Sequence, residues 1–142
     1  MSEKVQRSGS CGCGAVGVVA HQSSNKLGAC HCRSCRRWGG GPLMTISCGT
    51  EVDFSGTEHI GVFDSSQWAE RGFCKQCGSH LFYRLKQTGQ HEMPVGLFDE
   101  TDDLHFDHEV FVDERPSYYH FGNQTEELTG AECFAKFAPP AE

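Results

Sequence analysis

The chain has 142 residues, 37% of them hydrophobic and 17 of them glycine, which suits one domain whose thin core needs help, with bound metal the natural source of it. Its formal net charge of −7 argues against nucleic acid as a partner, because phosphate backbones are held by basic surfaces that release counterions. Residues 1–7 lack the apolar run of a signal peptide and no stretch approaches the roughly 20 apolar residues of a membrane span, so the expectation is a soluble cytoplasmic protein with no membrane partner.

In chain order, residues 1–8 are polar and read as a frayed N-terminus, 9–138 as a single domain, and 139–142, with Pro139 and Pro140, as a tail. The β-branched run Ala15–Ala20 predicts a strand. Cys11 and Cys13 lead into it, and at strand spacing two residues apart they face the same way, with Gly12 allowing the backbone to turn around an ion. His21–Asn25 reads as a turn and Lys26–Cys30 as the returning strand, which makes a hairpin that delivers Cys30. Arg33–Trp38 predicts a helical turn that the glycines from Gly39 and Pro42 stop. Short strands are expected over Leu43–Cys48, Glu51–Phe54, His59–Asp64, Ser79–Leu85, Met93–Phe98 and His108–Val112, with Pro94 marking an edge or a bulge. Only residues 123–137 have helical character. The fold class is mainly β, built from short antiparallel strands rather than βαβ units.

Nine cysteines in a reducing compartment point to metal rather than disulfides, as do the odd count and the CxC pairs, whose sulfurs are too close in sequence for an unstrained bridge. Cys74-Lys75-Gln76-Cys77-Gly78 is a knuckle: two residues between thiolates let amides curl toward the sulfurs, and Gly78 permits the positive φ that closes the turn. It supplies two ligands and lacks two, as do Cys11 and Cys13, so Cys11, Cys13, Cys74 and Cys77 form the first expected site, a structural zinc that converts metal binding into folding energy. Iron also suits four thiolates. Cys30, Cys32 and Cys35 form the second, a three-thiol zinc site with an open fourth position, expected to carry catalysis and to be partly occupied. Cys48 and Cys133 read as small core residues, with Cys48 a possible fourth ligand. His31, between two ligands, is expected to face away from the sulfurs. His59 and His80 suit proton transfer but read as solvent-facing, and Trp38, Phe63 and Trp68 as core.

The three motifs Cys11-Gly12-Cys13, Cys30-His31-Cys32-Arg33-Ser34-Cys35 and Phe73-Cys74-Lys75-Gln76-Cys77-Gly78-Ser79, in that order, resemble the glutathione-dependent formaldehyde-activating enzyme family, which includes centromere protein V. Weaker agreement runs through Ser65-Ser66 and Gly96-Leu97-Phe98-Asp99 to His108, so the resemblance covers about residues 9–121. It implies a β-tent fold stapled by a zinc site of four cysteines, with a second zinc at CxCxxC. It also implies S-(hydroxymethyl)glutathione synthase chemistry, a carbon-sulfur lyase reaction that joins glutathione or another small thiol to formaldehyde or a related aldehyde. Arg33, Arg36 and Arg37 are then candidates for binding the carboxylates of glutathione. Two other classes stand beside this one: a non-catalytic zinc module that binds a protein partner, and a thiol redox or metal-handling protein.

Overall fold

The first strand is one that composition hides. In the computed structural model, which describes residues 4–137, β1 (Lys4–Ser10) is a regular strand rather than a frayed end. Its polar residues pair antiparallel with β2 (Gly17–Ser24), and Arg7 is buried. The Arg7 guanidinium receives a full set of partners: Ser23 Oγ at 2.9 Å, the Glu100 carbonyl at 2.9 Å, and Asp103 at 2.8 and 2.6 Å. A buried charge is tolerated only when paired in this way. The expected tail at 139–142 lies outside the described residues.

The chain forms two compact units, Met1–Lys26 with Thr45–Leu104, and Leu27–Met44 with His105–Glu142. β2 runs through the segment read as a turn and pairs with β1 and with β5 (Val52–Ser55), not with β3 (Lys26–Cys30), so the expected hairpin does not form. Asn25 breaks the strand, and β3 joins a different sheet, beside β10 (His105–Val110). In the second unit β3 feeds α1 (Arg33–Gly39), which stops at Gly40 in the left-handed region, φ 88°, as the glycine run predicts.

The first unit continues with β4 (Leu43–Gly49), β6 (Ile60–Phe63), β7 (Ala69–Cys74), β8 (His80–Leu85) and β9 (His91–Pro94), arranged β4-β9-β8-β7-β6 with antiparallel neighbours. β9 is interior to this sheet. Pro94 is accommodated because it is the last residue of the strand, opposite Thr45, and a 3-10 turn over Val95–Leu97 follows. The core of this unit is aliphatic and aromatic: Val16, Val18, Ala20, Ile46, Cys48, Leu81, Phe82, Met93, Leu97 and Phe98 are buried.

The second unit is built differently. β10 (His105–Val110) lies between β3 and β11 (Glu126–Leu128), the last a parallel partner that no periodicity announced, and α2 (Gly130–Phe137) closes the described chain within the region read as weakly helical. Among the described residues its buried hydrophobic ones are only Ala29 and Cys35, while its largest buried side chains are His31 and Glu109. The fold is thus mainly β, with eleven strands and two helices among the described residues. No described helix is long and apolar enough to cross a membrane.

Candidate metal centres

The Cys11-Gly12-Cys13-Gly14 segment is a turn rather than a strand end. It is closed by the Cys11 N–H donating to the Val16 carbonyl at 3.0 Å and by Gly14 at φ 81°. Gly12 lies within this turn and also meets the other arm: its N–H donates to Ser79 Oγ at 2.9 Å, and a Cβ there would stand 3.2 Å from that oxygen. The knuckle closes as its spacing predicts, with Gly78 at φ 81° and its N–H on the Cys74 carbonyl at 2.8 Å. These two turns bring the sulfurs of Cys11, Cys13, Cys74 and Cys77 within 4.8 Å of one another. Cys11 to Cys13 is 3.7 Å and Cys13 to Cys74 is 3.8 Å. Four sulfurs at about 2.3 Å from one zinc stand about 3.8 Å apart at the corners of a tetrahedron, so these separations suit a zinc ion and exclude a disulfide.

The electrostatics of the quartet agree with that. Ser79, through its hydroxyl and its backbone, holds the Cys77 thiol down to about 5. Cys13, despite a backbone hydrogen bond at Ala15, is pushed up to about 11 by desolvation and by its three neighbouring thiols. Thiols this close do not all ionise unless a cation absorbs the charge. Cys11 and Cys74 are buried, whereas Cys13 and Cys77 are exposed.

In the second unit the sulfurs of Cys30, Cys32 and Cys35 likewise lie within 4.8 Å of one another. Cys30 ends β3, and Cys32 caps α1, its sulfur accepting the Cys35 N–H at 3.4 Å. The thiols of Cys32 and Cys35, together with burial, push the Cys30 thiol far up, the same mutual resistance to ionisation that a cation would relieve. No fourth His, Cys, Asp or Glu joins this group among the described residues. Cys48 lies in neither group: it is fully buried, its sulfur 3.6 Å from the Ile46 carbonyl, and burial pushes its thiol up to about 12.

The pattern that describes glutathione-dependent formaldehyde-activating enzymes matches residues 6–114. The chain belongs to that family. An uncharacterized lyase of Schizosaccharomyces pombe is 35% identical over 122 residues, 85% of this chain and 89% of the yeast protein. The crystal structure of a Rhodobacter sphaeroides protein has a similar fold, with a TM-score of 0.53 at 20% identity over 63% of this chain and 85% of that one.

Of the three arginines read as carboxylate ligands, Arg33 and Arg37 are exposed on α1, four residues apart and so on one face. Arg36 is half-buried and donates from Nε to the His31 carbonyl at 2.9 Å. The His31 ring does turn away from the sulfurs, toward Glu109 and Tyr119. Glu109 and Tyr119 carry no motif. Their only sequence signal was a carboxylate inside a predicted strand and an aromatic in the Arg115–Tyr119 turn.

Proposed function

We propose that this family member is a zinc-dependent carbon-sulfur lyase that joins glutathione, or a similar small thiol, to formaldehyde or a related small aldehyde. The observation that carries the reading is the three-thiol group Cys30, Cys32 and Cys35, which gathers three candidate ligands and no fourth among the described residues. Zinc held by these residues would act as a Lewis acid, lowering the pKa of a thiol from about 8.5 so that it is a thiolate at neutral pH. In the forward reaction the thiolate sulfur bonds to the aldehyde carbon, the carbonyl π pair moves to oxygen, and that oxygen takes a proton from water. The reverse, lyase direction breaks the same bond.

The chain's own residues would do the binding. Arg33 and Arg37 offer two guanidinium forks on one exposed face of the helix that follows Cys32, matching a thiol substrate that carries two carboxylates. Arg36, with Nε committed to His31, keeps its remaining N–H groups for the same substrate. The quartet Cys11, Cys13, Cys74 and Cys77 would hold a second zinc as a staple, with Ser79 fixing both arms through Gly12 and Cys77.

The test is glutathione-dependent formaldehyde turnover, followed by exchange NMR on the zinc-loaded protein. Cys32→Ser should lose the catalysed exchange and keep its thermal midpoint within a few degrees. An unchanged rate of adduct formation would overturn catalysis at this cluster and favour a non-catalytic zinc module.

A further inference from the structure

His31 stands between two of the three thiols, and all four of its polar atoms are engaged. Its N–H donates to the Val110 carbonyl at 3.1 Å and its carbonyl accepts from Arg36 Nε at 2.9 Å. Nε2 lies 2.7 Å from Glu109 Oε1, and Nδ1 lies 2.8 Å from the Tyr119 hydroxyl. A carboxylate only accepts, so Nε2 carries a proton, and in the neutral ring Nδ1 accepts from Tyr119. Glu109 is in turn held by Arg115 Nη1 at 3.1 Å and Thr125 Oγ1 at 2.6 Å. Tyr119 stacks on the imidazole, ring centroids 5.5 Å apart, with Phe121 tilted against the same ring at 6.0 Å.

This arrangement is costly. His31 and Glu109 are 0% and 1% exposed, and taking a carboxylate and its polar partner out of water is unfavourable enough that apolar residues of the same volume would often serve stability as well. What apolar residues could not do is fix the peptide between Cys30 and Cys32 in orientation as well as position. Packing alone gives little purchase here, since Ala29 and Cys35 are the only buried hydrophobic residues among the described residues of this unit. A three-ligand site also depends more on preset geometry than a four-ligand clamp, because each ligand left disordered is a larger share of the binding energy.

We propose that His31, held by Glu109 and Tyr119, is a positioning residue. It presets the sulfurs of Cys30 and Cys32 for a divalent metal ion without itself being a ligand. The inference rests on the reading of Cys30, Cys32 and Cys35 as a metal site.

The experiment is titration of the metal-free, reduced protein with Co²⁺, following the sulfur-to-cobalt charge-transfer and visible bands, with Cys32→Ser as the control for the second equivalent. Wild type should take up two equivalents and Cys32→Ser one at high affinity. Glu109→Ala should weaken the second equivalent roughly 10- to 100-fold, the range found when partners that orient a metal ligand are removed, and leave the first unchanged. Glu109→Gln keeps an acceptor for the imidazole N–H and should restore second-site affinity to within roughly threefold of wild type, since the geometry survives. Tyr119→Phe, which removes one hydroxyl and keeps the stacked ring, should fall between them. Unchanged second-site affinity in Glu109→Ala overturns the inference; should that variant not fold, unchanged affinity in Tyr119→Phe overturns it. Glu109→Gln as weak as Glu109→Ala, or as Tyr119→Phe where the alanine variant does not fold, would also overturn it. A wild-type chain that takes up one equivalent instead overturns the reading of the second metal site, and this inference with it.

Discussion

In the first unit four sulfurs are gathered from two turns, Cys13 and Cys74 being 61 residues apart in sequence, and half of them face solvent. In the second, three sulfurs come from six consecutive residues, and the histidine between two of them is buried with a carboxylate as its partner. The first set lies beside an apolar core, and the second has almost none among the described residues. A site that joins distant segments earns its place through the entropy it removes from the unfolded chain. A site whose ligands are neighbours closes a loop too short to contribute much that way, so its purpose has to be sought in what the ligands bind.

The sharpest way to break this comparison is to remove one sulfur from each set. Cys74→Ser should unfold the protein, seen as loss of the cooperative thermal transition and of near-UV ellipticity. Cys32→Ser should leave both in place while abolishing aldehyde–thiol exchange. Equal losses of thermal midpoint in the two variants would erase the division of labour.

The Arg7 network should come next in size, since it ties β1 to the 99–103 loop within the first unit. Arg7→Met takes a donor from the buried Ser23 hydroxyl and from the Ser24 and Glu100 carbonyls and should cost about 2 kcal/mol in urea unfolding. Ser79→Ala should cost less, about 1 kcal/mol, because the amide of Gly12 loses one acceptor at a partly wet site.

The smallest effect concerns pH, and it separates the units. Burial holds His91, whose Nδ1 faces the Gly49 carbonyl, below its ordinary 6.5. The unfolded chain therefore gains a proton that the folded one refuses, and stability present above pH 6.5 is lost as pH falls below it. Glu109 is pulled the other way by burial, yet Thr125, His31 and Arg115 together hold it below 4.5. Its contribution is full above pH 4.5 and is lost only as pH falls below that value. Urea midpoints just below pH 6.5 should accordingly lose part of their slope in His91→Asn and keep it in Glu109→Gln. A slope unchanged in both variants would place the titrating group elsewhere.

What the chain's order of residues determined by itself was local. The CxC, CxCxxC and CxxCG spacings bring sulfurs together because neighbours in sequence have few ways to be apart, and Gly40 and Gly78 end α1 and close the knuckle because few other residues accept positive φ. Tertiary structure decided the rest. It made a strand of the polar β1 by pairing it with β2, set β11 parallel to β10, and turned the CxC segment into a loop. It also joined His31 to Glu109 across 78 residues of chain. Such pairings depend on which surfaces meet once the sheets form, and no periodicity of 2 or 3.6 residues carries that information.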